Sequence, residues 1–281
     1  MTITSFTFLF RTPDGKEPVS AELLQHPLFL NAEEKHPSLI MADYFASLQQ
    51  LVTTHEAALA PANLSAADSD TRHCIITSEK LGAFYHVAKV EIDAGDKSSA
   101  FAVNTAISAE GRNLLEREHL LLSGLSSALR GFVPEIFLYI RPEDGDRKQD
   151  PFSHMAVQWL EDFHEWHLCG KDSTAPEFTL WSDNGAQQLK ENESRALFRR
   201  IAHIITLSYD WHSNEFLQRW HHAAGDFIVR RSDRALDVRL ITVRAIEPFP
   251  FLEGHELQVK FSSLLLFLID LSIRHIRTLS K

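Results

Sequence analysis

A change of hydrophobic period between residues 73 and 125 constrains the fold more than any other feature of this sequence. Runs rich in β-branched and aromatic residues at His73–Thr77, Ala83–Ile92 and Phe101–Ile107 predict three strands. Leucines, with Glu118 among them, then follow the i, i+4, i+7 and i+8 spacing of an amphipathic helix, which we expect over Ala109–Leu129. Strands and a helix in one compact region indicate an α+β protein.

Two further strands are expected after this helix. The apolar runs Phe132–Ile140 and His154–Leu160 predict them, and the charged Pro/Gly segment Arg141–Pro151 between them predicts a hairpin loop. We therefore expect residues 72–107 and 132–160 to form one antiparallel five-stranded sheet, with the helix packed on it.

The remainder of the chain predicts a mainly helical second lobe. Leu197 and Ile201 belong to a helical pattern over about Glu193–Trp211, and Leu257–Leu279 predicts a closing apolar helix. The most apolar run within the latter, Phe261–Ile273, has about 13 residues, short of the ~20 that span a bilayer. We interpret it as a buried helix.

The first 70 residues predict an accessory region. It contains a strand at Ile3–Phe10, a helix near Leu39–Val52 and an Ala/Ser-rich linker at Ala60–Ser69. The predicted organisation is an accessory region over 1–70, a first lobe with its hinge over 71–168 and a helical lobe over 169–281. An apolar helix near the terminus also suits a truncated second lobe.

Charge and cysteine content restrict the partners and the compartment. A formal net charge of -10 over 281 residues disfavours nucleic acid and anionic lipid. Cys74 and Cys169 are far apart, unlike a disulfide framework or a four-cysteine zinc site, and Met1–Phe10 lacks the features of a signal peptide. We expect a cytoplasmic protein without a membrane span.

The order of the predicted elements, three strands, a helix, two strands, a hinge, a long helix, a loop and a short hairpin, resembles the protein-kinase-like fold. The segment His-Ala-Ala-Gly-Asp-Phe-Ile-Val at residues 222–229 is similar to the end of the catalytic loop of aminoglycoside and choline phosphotransferases. The resemblance covers about residues 70–281. It implies a two-lobed fold and places Asp226 at the metal-binding asparagine position, where a carboxylate suits Mg²⁺.

Most other catalytic positions implied by this resemblance are altered. His221 stands where the family has its catalytic aspartate, and Arg219 where the preceding histidine stands. Thr242 falls near the second metal-binding aspartate, and a hydroxyl is a weaker ligand than a carboxylate.

In the first lobe the resemblance implies a cofactor site. Glu118 corresponds to the helix glutamate that orients the phosphate-binding lysine, but Asn104 occupies the lysine position on the third strand. Lys89, on the preceding strand, is the candidate substitute and the candidate partner of Glu118. Trp159 belongs to the segment that would line an adenine pocket at the hinge.

Each of these residues also has a structural interpretation. His221 and His222 would brace a loop, with one of them as an alternative general base near neutral pH. Asp226 would cap backbone N–H groups in a turn rather than bind metal. The aromatic segment Trp159–Trp166 would pack at the lobe junction.

Three functions follow from these alternatives. We favour a catalytically degenerate, pseudokinase-like protein with a regulatory or interaction role toward an unidentified protein or small molecule. The alternative is a divergent small-molecule phosphotransferase that uses ATP and Mg²⁺. A metal-dependent hydrolase built on the histidines, among them His164, His167 and His212, is a remote third, because their spacing matches no metal motif.

Overall fold

The computed structural model describes residues 2–31, 33–59, 71–82, 84–141, 151–169, 177–182, 185–220, 225–232 and 236–279. The chain forms two compact units. The first comprises Met1–His119 and Glu135–Trp159, and the second comprises Leu120–Pro134 and Leu160–Lys281. The predicted linker Ala60–Ser69 and residues 142–150 of the predicted hairpin loop lie outside the described residues.

The first unit is built on a seven-stranded sheet in the order β2-β1-β5-β6-β7-β9-β8. Its strands are β1 (Thr2–Thr12), β2 (Gly15–Pro18), β5 (Thr71–Leu81), β6 (His86–Ala94), β7 (Lys97–Ala106), β8 (Ile136–Ile140) and β9 (Ser153–Gln158). A small separate pair consists of β3 (Pro27–Phe29) and β4 (Lys35–Ile40). The helices α1 (Ala21–Leu24), α2 (Met41–Thr54) and α3 (Glu56–Leu59) precede β5, and α4 (Ala109–Leu125), which begins in this unit, follows β7.

The main core of this unit lies between the sheet and α2. The apolar face of α2 is fully buried against side chains from alternate positions of β5, β6 and β7, as the two-residue period of a strand requires. The helix begins after Ile40, whose backbone N–H donates to the Asp43 carboxylate at 2.9 Å. Inside the core, the two ring nitrogens of His154 are hydrogen-bonded to the hydroxyls of Ser47 on α2 (2.7 Å) and Thr105 on β7 (3.0 Å).

The described residues of the second unit form three small sheets and two long helices. The sheets are β10-β11-β12 (Trp166–Cys169, Glu177–Ser182, Gly185–Gln188), β13-β16 (Phe216–Gln218, Ala245–Glu247) and β14-β15 (Phe227–Arg231, Leu236–Leu240). The helices are α5 (Glu191–Leu207) and α6 (Glu256–Leu279). Helix α5 buries Leu197, Ile201 and Ile204, so its predicted amphipathic pattern is confirmed.

Two parts of the predicted fold class are wrong. The sheet is not a five-stranded antiparallel one, because β1 pairs with β5 in parallel and β2 adds a seventh strand, which makes the sheet mixed. Nor is the later part of the chain mainly helical, because its described residues include seven strands beside the two helices. These strands have three to six residues, too few for a clear two-residue alternation, which explains why the sequence pattern missed most of them.

The structure also corrects the interpretation of Phe261–Ile273 as a buried helix. The segment is helical, as predicted, but only one side of it is buried. Phe267 is 1% exposed and packs against Tyr209 and Phe216, with ring centroids 5.0 and 5.1 Å away. Large apolar side chains on the other side, such as Leu265, remain exposed.

Candidate functional site

Lys89 is held on β6 in a polar and aromatic setting. Its side chain is mostly buried and lies 2.9 Å from the Glu91 carboxylate and 5.0 Å from the centre of the Trp159 ring. Glu91 also pairs with Lys16 at 3.2 Å. Burial alone would raise the pKa of Glu91. Hydrogen bonds and positive charge, from Lys89 first and then from Lys16, lower it by more, so the pKa lies below its usual value. The carboxylate therefore stays ionised beside the lysine.

The register of the sheet brings Asn104 to the same face as Lys89. Lys89 pairs with Ala102 of β7, and Asn104 lies two positions further along that strand. Side chains two positions apart on a strand point to the same face, so Asn104 is a diagonal neighbour of Lys89. The structure thus gathers three of the predicted cofactor-binding residues, Lys89, Asn104 and Trp159, although their binding role stays a prediction.

Glu118, the fourth predicted cofactor-binding residue, is buried on α4 with 4% of its surface exposed. A buried carboxylate requires compensating hydrogen bonds or an opposite charge. The prediction that Lys89 supplies this compensation stays a prediction.

Asp226 lies in the second unit, immediately before β14. Gly225 precedes it with φ of 75°, a backbone conformation that favours glycine. The Asp226 carboxylate is buried and accepts a hydrogen bond from the Arg244 guanidinium in an ion pair. Its backbone carbonyl accepts from the Ile241 N–H at 2.8 Å. Asp226 is therefore fixed to the segment after β15 by both its side chain and its backbone.

Arg244 extends this network to the segment before the predicted catalytic loop. Its guanidinium also donates to the Arg219 backbone carbonyl at 3.3 Å, and the Arg219 side chain lies 3.6 Å from the Glu247 carboxylate. Arg219 itself has φ of 56°, which is unusual for a residue other than glycine. Sequence reasoning did not identify Arg244, which stands only two residues after Thr242, the predicted weak metal position.

The acidic-aromatic segment 161–167 borders Asp226. His164 and Val229 exchange two backbone hydrogen bonds of 2.9 Å, which attach this segment to β14. A Cβ atom added to Gly225 would lie 3.5 Å from a Glu165 carboxylate oxygen, and His167 lies 3.6 Å from the same carboxylate. The Glu165 carboxylate therefore lies close to Gly225, the residue before Asp226.

His221 and His222, the predicted catalytic residues, lie outside the described residues, so their roles stay predictions. Among the residues that the structure does describe, no group of three or more His, Cys, Asp or Glu side chains is arranged to hold a metal ion. A shallow cleft of about 390 Å³ in the first unit, lined by Phe10, Glu17 and His26 among others, contains none of the predicted site residues.

No model of a known protein family matches this sequence, and no curated protein matches it either. Within the described ranges, no helix combines the length and the apolar character needed to cross a membrane.

Proposed function

We propose that this protein has a non-catalytic regulatory or interaction role, and that it does not transfer phosphoryl groups. The observation that carries the proposal is the ion pair between Asp226 and Arg244. Asp226 is the residue on which the predicted metal site depends, and a guanidinium already neutralises its buried carboxylate.

An arginine in this place competes directly with Mg²⁺. Mg²⁺ gives up its water reluctantly and requires carboxylates or phosphates in near-octahedral geometry. To bind Asp226 it would have to displace Arg244, a cation tethered to the same unit. Thr242, at the second predicted metal position, offers only a hydroxyl, so little would compensate for this displacement.

Thermal unfolding with and without ATP and Mg²⁺ tests this proposal. A ligand at 100 times its dissociation constant adds about 2.7 kcal/mol to the free energy of unfolding, which is readily measured. We expect no rise in melting temperature for the natural protein or for Asp226→Asn, which restores the asparagine of the phosphotransferase loop. A clear rise that needs both ATP and Mg²⁺ would refute the proposal.

A divergent ATP- and Mg²⁺-dependent small-molecule phosphotransferase is the second candidate. The observation in its favour is the common face of Lys89, Asn104 and Trp159, which offers a cation and an aromatic ring to a nucleotide. If this candidate is right, Lys89→Met abolishes nucleotide binding, while Lys97→Met, a change on the neighbouring strand, leaves it intact. We expect instead that neither the natural protein nor either variant binds nucleotide, because the Glu91 carboxylate already pairs with Lys89.

We assign this role to the cytoplasm. The assignment is supported by the small number of cysteines, two in the whole sequence, and by the buried free thiol of Cys74. The net charge of -10 supports a protein or small molecule rather than nucleic acid as the partner.

A further inference from the structure

A histidine bonded to two hydroxyls lies on the seven-stranded sheet, and none of these three residues belongs to the predicted sites. The Ser5 hydroxyl of β1 lies 2.7 Å from Nδ1 of His73 on β5, and the Thr7 hydroxyl lies 3.1 Å from Nε2 of the same ring. The side chain of Ser5 is exposed, whereas Thr7 and His73 are half-buried. A hydroxyl, a base beside it and a third group that orients the base are typical of an activated nucleophile.

The two distances indicate which atom donates in each hydrogen bond. A neutral imidazole has one nitrogen that donates and one that accepts. A separation of 2.7 Å is typical of an O–H donor, and 3.1 Å lies within the range of an N–H donor. The Ser5 hydroxyl therefore donates to Nδ1 of His73, while Nε2–H donates to the Thr7 oxygen. The nitrogen that can take up a proton faces the exposed serine.

The register of three adjacent strands holds this arrangement in place. Ser5 is the direct partner of His73 in the parallel pairing of β1 with β5, and Thr7 lies two positions further along β1, on the same face. On the other side of β5, Asp93 of β6 is the direct partner of His73 in an antiparallel pair. Directly opposite side chains share a face and lie close together. The Asp93 carboxylate is thus placed to stabilise an imidazolium that forms during a reaction.

We propose that Ser5 is an acylation site, with His73 as its general base and Thr7 as a positioning residue. The acyl donor is an uncharged aryl ester or thioester, because the net charge of -10 disfavours anionic donors. Oγ of Ser5 forms a bond to the acyl carbon, and its proton passes to Nδ1 of His73. The C–O or C–S bond of the donor then breaks, and the phenol or thiol leaves with this proton.

The product of this reaction is a serine ester on β1. A group with a lower pKa leaves faster, so a thioester or an aryl ester is cleaved more readily than the serine ester that replaces it. We therefore expect one acyl group per chain rather than continued turnover. The inference goes beyond the proposed function, since it adds a site of covalent modification in the first unit and leaves the protein non-catalytic.

Reaction of the full chain with p-nitrophenyl acetate, followed by tandem mass spectrometry of its peptides, is the first test. We expect Ser5 to be acetylated faster than any other residue. His73→Gln should slow the acetylation of Ser5 about a hundredfold, the lower end of the effect of a general base. Ser126→Ala is the matched control and should not change the rate at Ser5, because the exposed Ser126 hydroxyl donates to the Ser123 carbonyl at 2.8 Å.

Two variants of Thr7 separate positioning from packing. Thr7→Val keeps the shape of the side chain but removes the oxygen that accepts from Nε2 of His73. The acetylation of Ser5 should slow about three- to tenfold, the effect of one hydrogen bond. Thr7→Ser retains the oxygen and should restore the natural rate. If Thr7→Ser is as slow as Thr7→Val, Thr7 does not position the histidine.

A thiol in place of the Ser5 hydroxyl tests the base independently of the ester. In a Cys169→Ser background, Ser5→Cys places a thiol beside Nδ1 of His73, and a neighbouring base increases the thiolate fraction. Alkylation by iodoacetamide at pH 7 should be about tenfold faster than in the same protein with His73→Gln. Cys74 is 0% exposed and should stay unreacted.

Three results would overturn the inference. These are acetylation of Ser5 no faster than that of Ser126, a rate at Ser5 that His73→Gln leaves unchanged, or an acetyl group that stays on the His73 ring. The outcome is distinguishable from that of the nucleotide test, because neither reagent contains a nucleotide. Binding of Mg·ATP would refute the proposed function alone, and an unreactive Ser5 would refute only the acylation site.

Discussion

Helices α2 and α6 are both rich in large apolar residues, but the protein uses them in opposite ways. On α2, Tyr44 and Leu48 are completely buried beneath the seven-stranded sheet. On α6, Phe261 and Leu265 are each 59% exposed. An apolar helical pattern therefore predicts a helix but not how much of its surface is buried. The sheet of the same unit covers α2, whereas one side of α6 is exposed to solvent.

Polar contacts reinforce this difference. Helix α2 is joined to the sheet by the fully buried chain of hydrogen bonds from Ser47 through His154 to Thr105. Because buried polar groups are costly unless they are satisfied, this chain fixes one position of α2 on the sheet. The charged pairs on α6 are partly exposed instead, and each contributes little to the stability of the monomer.

The largest expected effect is at the centre of α2. Leu48→Ala removes a completely buried side chain and leaves a cavity, so we expect the free energy of unfolding to fall by about 2–5 kcal/mol. Urea unfolding followed by circular dichroism measures it. A loss below about 1 kcal/mol would show that the contact between α2 and the sheet does not hold the first unit together.

The next effect concerns the dependence of stability on pH. Burial lowers the pKa of His154 to about 3 in the folded protein, whereas the unfolded value is near 6.5. As the pH falls through this window the unfolded chain binds the proton first. The free energy of unfolding should therefore fall by up to about 1.4 kcal/mol per pH unit between these two values.

The control for this pH effect is His154→Gln, which keeps hydrogen-bonding groups but does not titrate. Urea unfolding of both proteins at pH 7, 6 and 5 isolates the contribution of His154, because other groups titrate equally in both. The free energy of unfolding should depend less steeply on pH in the variant than in the natural protein. An equal dependence on pH in both proteins would mean that His154 is accessible to protons in the folded state.

A smaller effect is expected at the pair of Asp226 with Arg244. Arg244→Gln leaves a buried carboxylate with less compensation, which costs 3–5 kcal/mol when both partners are buried. Because the Arg244 side chain is 37% exposed, we expect a loss of about 1–3 kcal/mol instead. Arg195→Gln, in an exposed pair with Glu191, is the matched control and should cost less than about 0.5 kcal/mol. Equal losses would make the Asp226 pair an ordinary surface contact.

The smallest expected effect is at Leu265, on the exposed side of α6. Leu265→Ala should change the free energy of unfolding by no more than about 0.5 kcal/mol, because the side chain is mostly in water. Urea unfolding followed by circular dichroism measures the change. A loss comparable to that of Leu48→Ala would show that Leu265 is buried in solution.

Long regular elements of this fold were predictable from sequence. The patterns at Ile3–Phe10 and Ala109–Leu129 correspond to β1 and α4, because each persists long enough for its period to emerge. The pairing of β1 with β5 was not predictable, because three strands and three helices separate them in sequence and parallel pairing leaves no local turn signal. Short strands such as β13, with three residues, left no pattern to detect.

The site was predictable only in part, for a similar reason. The family resemblance named Lys89 and Asn104 on two predicted strands, and the register of those strands places them on one face, although their binding role stays a prediction. Arg244 was missed because an ion pair over 18 residues of chain has no characteristic spacing. An arginine or lysine near a predicted metal position, as Arg244 is near Thr242, is the signal to examine. Its positive charge can neutralise a carboxylate in place of a metal ion.

We propose that Arg244, which pairs with Asp226, takes the place of a metal ion there and that the protein does not bind nucleotide. Isothermal titration calorimetry of Mg·ATP into the natural protein tests it most directly, with Arg244→Gln titrated in parallel. The account predicts no binding heat for the natural protein at millimolar nucleotide. Saturable binding of Mg·ATP by the natural protein that Asp226→Ala abolishes would contradict it.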